Sequence, residues 1–381
     1  MIRPCVFYHD QEPLNFDYYR NQNCIVINTS SPPQFDFDFE EVIQFKKIYP
    51  TLKYNCYDYA IICHSEKNSK NLKFYEDHEY IGVYWWSHAA IARDWYRCAE
   101  HDLDLIANFK NIKYDFLIYN RAWGGTREYR LKFAEIIADQ QLVKYCRTSF
   151  SATDVNGHYT NHVFVNSNLE IKKTDLETCY PANTSQSTAS ADYNAHDYTE
   201  CGIEVVLETL FDDDRVHLTE KSLRPIACGR PFVIASSPGS LEYLRNYGFE
   251  TFSGLIDESY DLVQNPLERL QAIAKEMQRI AELNIETKLQ LWQKLYKIAE
   301  RNKKLFFSNT WQNKIFQEYQ DNFNAAMKFM KQHRTGKRWK QVLSAGEKNP
   351  DLKQHIYYPR SGIRSAADVE FVNAWLANTP D

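Results

Sequence analysis

The feature that most constrains this chain is the alternation of short apolar runs with stretches of helical periodicity. Runs of strand length occur at Pro4–Tyr8, Cys24–Asn28, Asp58–His64 and Tyr80–Trp86, and a second series at Tyr114–Tyr119, Ile203–Glu208 and Pro231–Ala235. Helical patterns fall between them at Ser69–Tyr75, His88–Glu100, Arg127–Gln140 and Glu220–Cys228, and a further helix opens at Pro238-Gly239-Ser240 and runs to Tyr247. Such alternation predicts an α/β sheet, because a helix between two strands buries its apolar stripe on the sheet they share. In Arg127–Gln140 that stripe is Leu131, Phe133, Ala134, Ile136 and Ile137. Thr219 reads as an N-cap, Pro225 as a residue that kinks or shortens its helix, and Gly229 as the residue that ends it. The Ser-, Thr- and Asn-rich stretch 149–200 reads as an insertion with a short hairpin near His162–Val165. Helices dominate from Pro266, and the tail from Gly346 is polar.

The expected architecture is therefore two Rossmann-like α/β domains facing a cleft, followed by C-terminal helices. The expected divisions are 1–112, 113–310 and 311–381, which a chain of 381 residues accommodates with real cores. Nine scattered cysteines, an odd number with no C-x-x-C pair, argue against a disulfide framework or a structural zinc site and for a reducing compartment. The N-terminus has no signal-peptide pattern and no apolar run reaches membrane length, so a cytoplasmic protein with no membrane partner is expected. Net charge is −5 but uneven: residues 286–341 hold 13 basic and 4 acidic residues, a net of +9 that leaves −14 elsewhere. Such asymmetry marks either a polyanion-binding face or a solvated Lys-rich helix pair.

In open α/β sheets, ligands sit beyond the carboxyl ends of the strands, and the polar loops of both halves occupy that position. Thr219-Glu220-Lys221 stands where such a loop enters a helix, with Arg224 one turn on. Glu220 suits ribose hydroxyls and Lys221 suits a diphosphate, which Arg, Lys and helix N-termini stabilise without a metal. A capped helix with a surface ion pair has the same sequence.

The block Leu207-Glu208 … Val216-His217-Leu218-Thr219-Glu220-Lys221 … Ala227-Cys228-Gly229-Arg230-Pro231-Phe232-Val233-Ile234 resembles the donor-binding motif of the α-1,3-fucosyltransferase family. Phe116-Leu117-Ile118-Tyr119-Asn120-Arg121 … Arg127-Glu128-Tyr129-Arg130-Leu131 resembles that family's earlier motif, a strand and Asn-containing loop before a helix with a phosphate-binding Arg. The resemblance spans about residues 114–260. It implies a donor set of Asn120, Arg121, Arg127, Arg130, Thr219, Glu220, Lys221 and Arg224, with Gly239 and Ser240 where the next helix opens. The chain as a whole is similar to glycosyltransferases of large tailed phages at Tyr8–Pro13, Val83–His88 and Ile256–Asp261, which implies the transferase class and, for a phage-encoded chain, the host cytoplasm. The insertion at 149–200, Pro225 inside the motif helix and the absence of a fucosyltransferase acceptor signature depart from the pattern. The donor therefore need not be GDP-fucose: a UDP- or GDP-linked sugar, or a pentose donor, fits the expectation, and no obligatory cofactor is expected.

Metal-dependent transferases hold a divalent ion with D-x-D, a spacing met by Asp36–Asp38, Asp102–Asp104 and Asp212–Asp214. Solvated loops produce such triplets, and the order of the motifs fits the metal-free two-domain (GT-B) type instead. The general base for an acceptor hydroxyl should come from the N-terminal domain: Asp10 and Glu12 after the first strand, with Asp94 as reserve. His9, His64 and His88 are candidate hydrogen-bond partners, and Tyr84, Trp85 and Trp86 candidate stacking faces, although core packing suits these aromatics equally. The basic segment around Trp339, with Arg334, Lys337, Arg338 and Lys340, suits a DNA backbone. The leading expectation is a glycosyltransferase acting on a hydroxymethylated base in double-stranded DNA. A glycan or protein acceptor, or a non-catalytic nucleic-acid-binding protein with a transferase-like fold, are the alternatives.

Overall fold

The structure, a computed structural model, describes residues 26–29, 60–64, 80–154, 157–181 and 192–332. It divides into two units, one formed by Met1–Ile91 with Asn313–Asp381 and the other by Ala92–Gln312.

In the first unit, three of the apolar runs form a parallel sheet in the order β1 (Val26–Thr29), β2 (Ala60–His64), β3 (Tyr80–Tyr84). Val26 stands opposite Ile61, and His64 opposite Tyr84. The expected strand Pro4–Tyr8 and helix Ser69–Tyr75 lie outside the described residues. The chain leaves β3 into helix α1 (Ser87–Trp95), shorter than expected because a 3-10 turn takes over at Arg97–Glu100.

The second unit is built on four parallel strands in the order β5-β4-β8-β9. They are β4 (Tyr114–Asn120), β5 (Cys146–Phe150), β8 (Cys201–Leu207) and β9 (Phe232–Ala235); a small hairpin, β6 (Thr153–Asp154) and β7 (Gly157–His158), follows β5. Every residue of β8 is buried, as a central strand covered on both faces requires. Helices α2 (Tyr129–Asp139), α3 (Ala195–Glu200), α4 (Glu220–Ala227), α5 (Ser240–Asn246), α6 (Pro266–Ala281) and α7 (Ile285–Phe306) complete the unit, and α8 (Asn309–Gln332) carries the chain back to the first. No described helix is long and apolar enough to cross a membrane.

Three expectations are corrected. The stretch 149–200 is not all insertion, since it starts inside β5 and ends in α3. Its hairpin pairs Thr153–Asp154 with Gly157–His158, Gly157 having φ of +103°, and does not lie at His162–Val165. Helix α2 starts at Tyr129, so Arg127 stands in a 3-10 turn ahead of it. Helix α4 is kept to eight residues with Pro225 inside, and it closes on Gly229 at φ of +65°, which lets Arg230 N–H reach the Pro225 carbonyl at 2.8 Å.

Helix α7 crosses the amino ends of the sheet. Lys288 Nζ reaches Asp115 at the start of β4 (2.8 Å), and Tyr296 donates to the Cys201 carbonyl at the start of β8 (3.1 Å). Trp292 packs so close to Gly202 that a Cβ there would lie 2.6 Å from its Nε1. The carboxyl ends therefore face away from α7.

Candidate functional site

The connection from β4 runs to β5 on one side of the sheet, and that from β8 runs to β9 on the other. The crevice between the carboxyl ends of β4 and β8 is thus a topological switch point, where ligands of open parallel sheets bind. Asn120–Arg127 leave β4 here, and Glu208–Thr219 leave β8. Thr126 Oγ1 donates to the Thr209 carbonyl (2.9 Å), and Tyr129 OH donates to that of Glu208 (2.7 Å), so the two motif loops form one hydrogen-bonded assembly. Hairpin residue Asp154 accepts from the amides of Trp123 (2.8 Å) and Gly124 (2.6 Å), which fixes the loop.

Arg130 is not available to a phosphate. It is 3% exposed, and its guanidinium donates to the carbonyls of Ala122 (2.6 Å), Leu207 (2.6 Å) and Glu208 (3.0 Å), while Asn120 Nδ2 donates to the Arg130 carbonyl (3.1 Å). Arg130 and the buried Asn120 are the clamp that joins the two strand ends. Arg127 is different: half-buried, it donates Nε–H to Gly124 O (3.1 Å). Burial and then the charge of Arg130 lower its pKa to about 10, which leaves it a cation at neutral pH. Arg121 is exposed in the same loop.

On the other wall the organising residue is Glu208, fully buried just past β8. One carboxylate oxygen accepts from Thr219 N (2.9 Å), Ser222 N (3.2 Å) and Ser222 Oγ (2.6 Å); the other accepts from Thr209 N (3.1 Å) and Thr219 Oγ1 (2.7 Å). Thr219 caps α4 as expected, its hydroxyl also accepting from Lys221 N (3.3 Å). The amino end of α4 therefore already faces a carboxylate. Lys221 Nζ lies 2.7 Å from Glu220 Oε1 and 3.2 Å from Thr219 Oγ1, with Lys221 22% exposed and Glu220 nearly buried.

Three further residues of the expected donor set have structural partners or roles of their own. Arg224 is buried, its Nη2 2.6 Å from Glu204 Oε1 and its Nε donating to Tyr198 OH (3.1 Å), with the guanidinium 4.4 Å from the centre of the Tyr119 ring. It binds α4 to β8 and is not a ligand group. Gly239 supplies φ of +82° at the turn into α5, and the buried Ser240 hydroxyl donates to the Ser237 carbonyl (2.6 Å). Asp261 Oδ2 accepts the Leu241 amide (3.1 Å) there, and burial pushes its carboxyl up to about 6. A depression of about 700 Å³, lined in part by Leu241, Arg245, Glu258, Asp261 and Arg279, lies beside α5 and not at the β4–β8 crevice.

The acceptor-side residues are placed as follows. Asp94 is buried in α1 within the second unit, 3.4 Å from Arg97 Nη1; burial raises its pKa and Arg97 opposes the rise. Trp85 and Trp86 are 5% and 0% exposed, with the Trp85 ring 5.0 Å from Tyr319, so they are packing residues and not open stacking faces. His88 is buried, and Tyr84 accepts Asn322 Nδ2 at its carbonyl (2.7 Å). His64 ends β2. His9, Asp10, Glu12, Arg334, Lys337, Arg338 and Lys340 lie outside the described residues, as does the triplet Asp36–Asp38. Asp102 accepts the Asp104 amide (2.9 Å) and Tyr193 OH (2.9 Å); Asp213 pairs with Arg215, and Asp212 accepts Asn166 Nδ2 (2.6 Å). Asp102 and Asp212 thus tie their loops to Tyr193 and Asn166, and no cluster suited to a metal occurs among the described residues.

Glu208, Asp261 and Glu128 were not assigned roles from the sequence. Glu128 accepts the amides of Val165 (2.9 Å) and Asn166 (2.8 Å) and so pins the 159–170 segment beside the crevice. For Glu208 the available signal was a carboxylate directly after the apolar run Val205-Val206-Leu207, where burial obliges it to find donors. No family model, curated protein or solved structure matches this chain.

Proposed function

We propose that the chain is a nucleotide-sugar-dependent glycosyltransferase of the two-domain (GT-B) kind, with Ala92–Gln312 as its donor-binding unit. The observation that carries this reading is the switch-point crevice, bounded on one wall by the Arg121–Arg127 loop and on the other by Thr219-Glu220-Lys221. In this reading Arg127 and Lys221 oppose the diphosphate as the bond to the sugar breaks, and Glu220 takes the ribose hydroxyls. Lys221 exchanges its Glu220 partner for phosphate as the nucleotide enters. Arg130 and Glu208 contribute by fixing the two walls. Asp10 or Glu12 is the proposed base that deprotonates the acceptor hydroxyl. The proposed acceptor is a hydroxymethylated base in DNA, supported by the basic segment that contains Arg334, Lys337, Arg338 and Lys340.

Calorimetry with UDP and GDP tests the donor half. A charge-assisted contact contributes about 1.5–3 kcal/mol, so Lys221→Ala should weaken nucleotide binding by about one to two decades. Equal affinity in wild type and variant would remove Lys221 from the site, and no binding of either nucleotide to wild type would favour a non-catalytic protein. Mass spectrometry of hydroxymethylated DNA co-expressed with the chain tests the acceptor; unmodified DNA with glycosylated protein or glycan would redirect it.

A further inference from the structure

Helix α7 buries Leu291, Trp292, Leu295, Tyr296, Ala299 and Phe306 against the amino ends of the sheet. Its other face is exposed and carries Lys294, Lys297, Arg301 and Lys304. Intervals of three, four and three residues place these four on one stripe. Arg301 is held by Glu250 through two bonds of 2.6 Å, whereas Lys294, Lys297 and Lys304 have no ion-pair partner among the described residues. Glu300 is the one acidic residue of α7 between Lys294 and Lys304.

We propose that this stripe is a docking surface for the phosphate backbone of duplex nucleic acid, separate from the switch-point crevice. At 1.5 Å per residue, Lys294 to Lys304 spans about 15 Å. One DNA strand presents a phosphate every 3.4 Å along the axis, so the stripe runs beside about four phosphates. The cations lie in a chain whose overall charge is −5, so the attraction is local to this helix. A membrane-surface helix would set large apolar residues beside the lysines; the exposed neighbours on this face are Gln290 and Gln293 with the acidic Glu286 and Glu300, none of them apolar. Three lysines on long flexible stems suit backbone contact and not base reading. Because α7 lies at the amino ends and the crevice at the carboxyl ends, a strand length of about 20 Å separates them. Nucleic acid on α7 is therefore held without entering the crevice: the surface tethers and does not present a reacting base. The inference shares DNA with the proposed function as partner but does not depend on the crevice binding a nucleotide.

The test is fluorescence anisotropy of a labelled duplex with the full chain over a range of salt, comparing wild type with Lys294→Glu/Lys297→Glu/Lys304→Glu and with the matching triple Gln variant. Losing three phosphate contacts should lower the log–log salt slope by about 2.7, at about 0.9 per contact. Affinity at low salt should fall, further for Glu than for Gln, while UDP or GDP affinity measured on the same samples stays as in wild type. Lys297→Glu alone should lower the slope by about 0.9 and serves if the triple variants do not fold. An unchanged slope in folded variants would overturn the proposal. So would a stripe that binds heparin or an acidic protein while leaving duplex DNA unbound. Loss of nucleotide binding in wild type, with the slope effect intact, would overturn the transferase reading and leave the tether standing.

Discussion

Glu208→Gln is the substitution that best separates a scaffold from a bystander at the crevice. The carboxylate has no exposure and accepts five hydrogen bonds, three at one oxygen and two at the other. A glutamine of the same shape can keep its carbonyl oxygen facing Thr219 N, Ser222 N and Ser222 Oγ. Its NH₂ then meets the Thr209 amide, and two donors face each other. The Thr219 hydroxyl can rotate to accept, but the Thr209 N–H is left without a partner in a dry site. A stranded buried donor costs about 1–3 kcal/mol. Loss of negative charge at the amino end of α4 adds about 0.3–1 kcal/mol, more where partly buried. The expected destabilisation is therefore about 1–4 kcal/mol, the sum of these two contributions. Urea denaturation followed by tryptophan fluorescence measures it, as a lower midpoint with an unchanged slope. A variant within about 0.5 kcal/mol of wild type, the range of an ordinary surface change, would refute the reasoning. The same variant should weaken nucleotide binding, because Thr219 and Lys221 take their positions from Glu208.

The remaining predictions concern charge. Arg224→Leu leaves Glu204 buried opposite Tyr198 without its cation and should cost about 3–5 kcal/mol, a loss that Glu204→Gln in the same chain should partly restore; equal stability of the two single variants and wild type would refute the pairing. Burial raises the Asp261 carboxyl from 3.8 to about 6. Because the folded value lies above the unfolded one, the unfolded chain binds fewer protons between these values, and stability falls as pH rises from about 4 to 6. That window corresponds to about 3 kcal/mol, at 1.36 kcal/mol per pH unit. Asp261→Asn, which still accepts the Leu241 amide, should flatten this part of the pH profile of the urea midpoint; profiles that stay parallel would refute it. Turnover, once the donor is identified, should survive EDTA, because Arg127 and Lys221 supply the positive charge; activity lost to EDTA and restored by manganese would return attention to Asp102–Asp104 and Asp212–Asp214.

Elements whose causes are local were legible in the sequence. Strands β4, β8 and β9 are covered on both faces or nearly so, and such strands read as near-continuous apolar runs; the charged residues inside β4 and β8, Asp115 and Glu204, each meet a buried cation. The Thr219 cap and the turn at Gly229 depend on residues within a few positions, so the start and end of α4 could be read directly. Strand β5 could not, because Cys146-Arg147-Thr148-Ser149-Phe150 looks polar. Its Arg147 is neutralised by Asp197 (2.5 Å) and Glu200 (2.7 Å), which stand 50 and 53 residues away.

The crevice divides the same way. The sequence by itself determined that Arg127, Arg130, Thr219, Glu220, Lys221 and Arg224 gather on loops and helices at the ends of strands. It could not determine what each cation holds. A guanidinium meets a phosphate oxygen, a carboxylate or a backbone carbonyl with the same N–H donors, so residue type leaves the partner open. Only tertiary structure assigned Arg130 to the carbonyls of Leu207 and Glu208, 77 and 78 residues away, and Arg224 to Glu204. It also left Arg127 half-buried and Lys221 beside its own glutamate. The physical reason is that buried oxygens at the strand ends take the nearest donors first, and which oxygens are nearest is decided by strand order.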